Sequence, residues 1–170
     1  MNGNPRASEK PVMQDGSPAI ERVVSIRRVT KVVKGGKRLS FNAIAVVGNG
    51  HGSVGCSLGK ANEVQQAIQK ALRKAKKNLF KISLKDSSIP HEIIGKCNAT
   101  SVLLKPALPG TGIVAGNSVR SVVESCGIKD ILSKSFGSRN PINVVYATMD
   151  GLRRLRTREE VMKLRGKNAT

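Results

Sequence analysis

A chain of 170 residues is long enough to bury an apolar core as one ordinary domain or two small ones, so covalent staples are not required. Lysine and arginine number 30 against 11 acidic residues, a net charge of +19; such an excess repels itself in a compact fold, which puts a polyanionic partner, nucleic acid, ahead of simple solubility. Cys56, Cys97 and Cys126 form no CxxC pair and no apolar run nears the ~18 residues of a membrane span, which excludes a zinc site, a disulfide framework and a membrane helix.

Residues 1–19 carry two basic and two acidic side chains among Asn, Gly, Ser and Pro without apolar periodicity, and read as a mobile tail with no charged-then-apolar leader. A reducing cytoplasm with buried thiols is expected. Residues 20–85 then hold fifteen basic side chains against two acidic ones, and residues 86–170 thirteen against seven. The charge that faces a polyanionic partner is therefore expected in the first unit, 20–85.

Val23 to Val33 is rich in β-branched residues, and Leu39, Phe41, Ala43, Ala45 and Val47 alternate at period two, with Lys34-Gly35-Gly36-Lys37 between the runs. This pattern predicts a β-hairpin with a primed turn, where glycine accepts positive φ and the lysines are thrust outward. A short strand over Ser53 to Ser57 follows the glycine-rich Gly48 to Gly52. Helical spacing then places Val64, Ile68, Ala71, Leu72, Ala75 and Leu79 on an apolar stripe and Lys70, Arg73, Lys74, Lys76, Lys77 and Lys81 off it.

Ser87 to Pro90 reads as a linker into the second unit, 86–170. His91 to Lys96 and Ser101 to Lys105 predict a hairpin turning through Asn98. Asn117 or Ser118 is the expected cap of a helix carrying Val119, Val122, Val123 and Cys126 and closed by Gly127. A strand near Ile131 to Phe136 precedes a helix started by Asn140-Pro141, with Ile142, Val145, Met149 and Leu152 inward and a frayed, arginine-rich end over Arg153 to Arg165.

Three glycine-rich stretches invite chemistry. Gly50, Gly52 and Gly55 satisfy GxGxxG, but the next helix starts too late and Leu72-Arg73-Lys74 stands where a ribose-binding acid belongs. Gly55 to Lys60 resembles a phosphate-binding loop one residue short, with Ala61 where Ser or Thr must bind magnesium; a glycine-rich turn is the plainer reading. Gly110-Thr111-Gly112-Ile113-Val114-Ala115-Gly116 can present amides to a phosphate or simply turn.

His51 and His91 have no ligand at metal spacing, and no catalytic triad or carboxylate pair stands out. No catalytic residue, cofactor, metal or small-molecule substrate is expected. Aromatic side chains are Phe41, Phe80, Phe136 and Tyr146 alone, too few for base-stacking platforms, so folded RNA held through phosphates suits the chain better than single strands.

Arg28-Val29-Thr30-Lys31-Val32-Val33-Lys34-Gly35-Gly36-Lys37 with Ser40-Phe41 resembles the signature of the bacterial-type small ribosomal subunit protein five family. Val47 to Gly50, Gly59 to Val64, Lys105 to Ala107, Gly110 to Gly116 and Gly137 to Pro141 recur in that family in the same order, so residues 20 to 165 are covered. The resemblance implies an α+β protein: a double-stranded-RNA-binding-like unit of antiparallel sheet plus helix, then a two-layer α/β unit. It further implies a place in the cytoplasmic small ribosomal subunit, with a part in its assembly and in decoding accuracy.

The partners so implied are small-subunit ribosomal RNA near the neck and spectinomycin site, small-subunit protein four, proteins three and eight as further candidates, and messenger RNA at the pore where it enters. No membrane is among them. Candidate RNA-binding residues are Arg27, Arg28, Lys31, Lys34, Gly35, Gly36, Lys37 and Arg38 of the hairpin, with Lys60, Arg73, Lys74 and Lys77 behind it. Gly110, Thr111, Gly112 and Gly116 form the candidate protein-contact loop. Asn49, Cys56, Ser57, Leu39 and Tyr146 depart from the family pattern, where Asp, an aromatic residue, Gly, Phe and Arg are usual. A free-standing duplex-RNA binder and a nucleotide-dependent enzyme remain as rivals.

Overall fold

The computed structural model describes residues 19–166, so the tail expected over residues 1–19 lies, Ala19 apart, outside the described residues. Strands β1 (Ile20–Val33), β2 (Gly36–Gly48), β3 (Ser53–Ala61) and β4 (Phe80–Lys81) form an antiparallel sheet in that order. A register shift between Val23 and Ser25 marks a bulge in β1, which adds local twist. Helix α1 (Val64–Lys77) crosses one face of this sheet.

The stripe buried by α1 is Ala67, Ala71 and Ala75, flanked by half-buried Val64, Ile68 and Leu72. Ala67 was not expected there, and its place has a steric cause. A Cβ on Gly59 would sit 2.1 Å from the Ala67 carbonyl oxygen and one on Gly55 2.4 Å from that of Ala75. Helix and strand backbones approach so closely that only methyl side chains fit between them. Gly55 to Lys60 is thus strand, not the turn its glycines suggest, and β3 runs on to Ala61 because its backbone pairs with β2 along its length.

The hairpin turn also differs from expectation. Its two residues are Lys34 and Gly35; Gly35 takes φ +90° and Lys34 keeps negative φ, so neither primed turn is formed. Gly36, at φ +147°, begins β2 opposite Val33.

The second half contributes β5 (Ile93–Cys97), β6 (Thr100–Pro106), β7 (Ile113–Val114) and β8 (Ile131–Gly137), in the order β5-β6-β8-β7 with β7 parallel to β8. Helices α2 (Asn117–Cys126) and α3 (Pro141–Arg153) bury Val119, Val122, Val123, Cys126, Val145, Met149 and Leu152 between them and this sheet. Asn98 turns the β5-β6 hairpin at φ +51°, a conformation its short polar side chain tolerates. Asn140 caps α3 as expected, accepting from the Ile142 amide. The cap of α2 is Gly116 and uses no side chain, so Asn117 is the first helical residue. The chain end also departs from expectation: α4 (Arg158–Leu164) is a separate helix started by a capping box between Thr157 and Glu160.

The two sheets share one core. Ile44, Val46 and Val54 of the first half and Val122, Val123, Cys126, Val145 and Leu152 of the second belong to the same buried cluster. At its edge the last carbonyls of α2, which have no partner inside the helix, accept from the glycine-rich segment: the Gly50 amide donates to Ser125 O at 3.1 Å and the Gly52 amide to Cys126 O at 2.8 Å. Asn49 steadies that segment, its Oδ1 accepting from the amides of His51 and Ser53. Gly50 and Gly52 therefore cap a helix of the other sheet and cradle no dinucleotide. Among the described residues no helix is long and apolar enough to cross a membrane.

Candidate nucleic-acid interface

β3 ends at Ala61, paired with Phe41, while β1 and β2 continue past it to Val33 and Gly36. The excess is a two-stranded ribbon reaching about 17 Å beyond the sheet. Such a ribbon is marginal alone and stands because both strands are rooted in the four-stranded sheet below. Arg27 to Val32 and Lys34 to Leu39 are exposed without interruption.

Strand alternation sorts the cations. Ala43, Ala45 and Val47 face α1, while Ile44 and Val46 face the second half. By register, Arg27, Lys31, Arg38 and Lys60 share the face turned from α1, where Arg27, Asn42 and Lys60 form one cross-strand row. Arg28 and Lys37 lie on the α1 face, and Lys34 stands in the turn. The ribbon is thus cationic on both faces.

On α1, Arg73 points away from the sheet, and Lys74 and Lys77 join Lys70 in an i, i+4, i+7 stripe on the flank away from β1. Lys70, which the sequence places off the apolar stripe but not among the candidate RNA-binding residues, belongs to this cationic stripe. Lys76 sits on the opposite flank, 2.7 Å from Glu21. The helix cations therefore lie behind the ribbon along the body of the protein, not beside its tip.

Two features make the ribbon an unneutralised charge. No acidic residue occurs from Arg22 to Asn62. Lys31 stands directly opposite Arg38, a like-charge pair that destabilises a hairpin. Among the described residues, the ion pairs engage Arg22, Lys76, Lys105 and Arg154 and none of the candidate RNA-binding cations.

The loop from Gly110 to Gly116 is organised differently. The Gly110 and Gly112 amides donate to Asp130 Oδ1 at 3.0 and 2.9 Å, and the Thr111 hydroxyl donates to Leu108 O. This is an anion-binding nest already filled by the protein's own carboxylate. Hydrogen bonds from the Ser87 side chain and the Gly112 and Gly110 amides, with the charge of Lys129, hold the Asp130 carboxyl below its ordinary range. The phosphate-binding alternative for Gly110 and Gly112 is thereby corrected: their amides are taken.

Nothing else described forms a reactive centre. Burial pushes the Cys56 thiol up to about 12 against the lowering charge of Arg153, and burial alone pushes Cys126 upward. Among the described residues there is no cluster of His, Cys, Asp or Glu able to hold a metal. Cys56 and Tyr146 line one cavity with Phe80, Met149 and Arg153, whose guanidinium lies 4.7 Å from the Phe80 ring centre.

Comparison with known proteins matches residues 19–83 to the family model described as ribosomal protein S5, N-terminal domain, and residues 95–165 to ribosomal protein S5, C-terminal domain. The chain is 58% identical over 148 residues to the small ribosomal subunit protein uS5 of Syntrophobacter fumaroxidans, covering 87% of this chain and 89% of that one. It is 51% identical over 158 residues to the protein of that name from Rubrobacter xylanophilus, covering 92% and 79%. With the one from Thermotoga maritima it shares 54% over 145 residues, covering 85% and 82%.

Proposed function

This chain belongs to the ribosomal protein S5 family, and we propose that it is a non-catalytic structural constituent of the cytoplasmic small ribosomal subunit, where it binds small-subunit ribosomal RNA. The unit of residues 20–85 faces the RNA: Arg27, Arg28, Lys31, Lys34, Lys37 and Arg38 contact phosphates along the ribbon, Gly35 and Gly36 let the tip approach the backbone, and Lys60, Arg73, Lys74 and Lys77 extend the track. The unit of residues 86–170 meets neighbouring proteins, four first and three and eight after it, through the loop carrying Gly110, Thr111, Gly112 and Gly116. Exposed Leu108 beside that loop supports a protein contact, as does the carboxylate already seated among its amides. Contributions to assembly, to messenger passage at the pore where it enters and to decoding accuracy follow from this placement.

The observation that carries the reading is the pairing of Lys31 with Arg38 within a stretch free of acids. A fold keeps such a pair at a cost to itself, and phosphates remove that cost on binding. Replacing Lys34 or Lys37 by Glu should flatten the plot of log affinity against log salt by about one unit per lost phosphate contact, on any RNA sequence tested. Unchanged slopes would take those lysines out of the interface. Sedimentation with small subunits separates this reading from a free-standing duplex binder, which would stay at the top of the gradient.

A further inference from the structure

Between α4 and the segment from Leu84 to His91 lies a cavity of about 720 Å³, a size that suits a small molecule. Both of its walls are anchored. Ile89 on one side and Leu155 on the other are buried in the shared core. Ser88 Oγ donates to Asp130 O at 2.6 Å, and the capping box between Thr157 and Glu160 fixes where α4 starts. The helix itself buries none of its side chains completely, so its inner positions remain available to a ligand. Two kinds of surface meet in the cavity. Half-buried Leu84, Pro90, Val161 and Met162 give it an apolar wall. Exposed Lys85, Arg156, Arg158 and Arg165 give it a cationic rim, and none of the four has an ion-pair partner among the described residues. One acid, Glu159, lines the cavity with them.

Chemistry narrows the ligand. Guanidinium groups grip phosphate oxygens through paired hydrogen bonds, and three of them suit a multiply charged phosphate better than a single carboxylate. The apolar wall gains nothing from a bare phosphate chain. It can take the face of a nucleobase, against which the Met162 thioether and a guanidinium plane both pack well. Glu159 repels a bare polyanion but accepts from an exocyclic amino group or a ribose hydroxyl. An RNA chain suits the extended track of the ribbon, whereas this cavity is closed on two sides. We infer that the cavity between α4 and the Leu84 to His91 segment binds a free nucleoside polyphosphate, with its phosphates on Arg156, Arg158 and Arg165 and its base on Met162, Leu84 and Pro90. The inference goes beyond the ribosomal reading and does not depend on it. The site shares no residue with the ribbon or with the three glycine-rich stretches, and its role is binding alone.

The test irradiates the purified full chain with 8-azido-ATP at physiological salt and maps the labelled peptides by mass spectrometry. Saturable labelling within residues 84–91 or 156–165 is expected. Labelling confined to the ribbon, or labelling that does not saturate, would overturn the inference. Unlabelled ATP should displace the probe at a concentration roughly tenfold lower than inorganic tripolyphosphate does; equal displacement would show that the base is not read, and would overturn it. Arg156→Glu combined with Arg158→Glu should cut labelling roughly tenfold or more, while Lys34→Glu combined with Lys37→Glu leaves it unchanged; the reverse pattern would place the nucleotide on the ribbon. Should the first pair disturb the start of α4 in thermal unfolding, Arg165→Glu at its far end decides instead, with lost labelling supporting the site and unchanged labelling overturning it. An RNA hairpin added to the ribbon variant should not displace the probe; displacement would assign the cavity to RNA and overturn the inference.

Discussion

The hairpin tip and the joint between the sheets both depend on glycine, for opposite reasons. At the tip, a Cβ added to Gly35 or Gly36 meets nothing within 4 Å. At the joint, a Cβ on Gly48 would stand 1.9 Å from Ser125 O and one on Gly127 1.9 Å from Gly50 O. The tip needs the residue's backbone freedom; the joint needs its missing side chain. A glycine-rich stretch is therefore uninformative about phosphate binding until its surroundings are known. One such stretch here reaches outward, one caps a distant helix, and a third encloses Asp130.

The largest effect expected from this contrast is at the joint. Gly48→Ala forces two backbones apart and should cost about 3 kcal/mol in denaturant unfolding. Gly35→Ala pays only for a left-handed conformation, about 1 kcal/mol. Equal losses would erase the distinction between the two regions.

A smaller change sharpens the reading of the third stretch. The Asp130 carboxyl is held below its ordinary value, so its contribution to stability is present above the unfolded carboxylate range and is lost as pH falls through the folded value. Asp130→Asn should therefore be less stable than the parent at neutral pH, and the gap should narrow below about pH 4. A gap that persists unchanged into acid would show that charge on Asp130 is not what organises the Gly110 to Gly112 amides.

The smallest effect on folding, and the one most specific to the ribbon, is Arg38→Glu. It sets an acid opposite Lys31 and should stabilise the free protein by about 0.5 kcal/mol while weakening RNA binding and flattening its salt dependence. Changes of the same sign in thermal unfolding and RNA titration would break the account of an unneutralised pair.

Much of this was legible in the sequence because the signals are local. Alternation from Leu39 to Val47 depends on the period of a strand alone, Asn140-Pro141 carries its cap within two residues, and an acid-free run is a matter of counting. The family motifs, being short and ordered, are equally readable in one dimension. Other local signals were present but went unread: Thr157 and Glu160 form a capping box, yet the surrounding arginines suggested fraying.

What the chain could not declare involves backbones distant in sequence. That Ala67 is buried depends on Gly59 lying beneath it; that Gly50 and Gly52 are occupied depends on the carbonyls of Ser125 and Cys126; that Gly110 and Gly112 are closed to phosphate depends on Asp130. The cavity beside α4 appears only once that helix and the Leu84 to His91 segment, distant in sequence, are seen to face each other. Composition and periodicity report what each residue prefers, and so determined the elements and the sign of the charge. Which groups satisfy one another was decided only when the two sheets closed around a shared core, because a hydrogen bond or a steric limit between remote segments leaves no mark on either segment by itself.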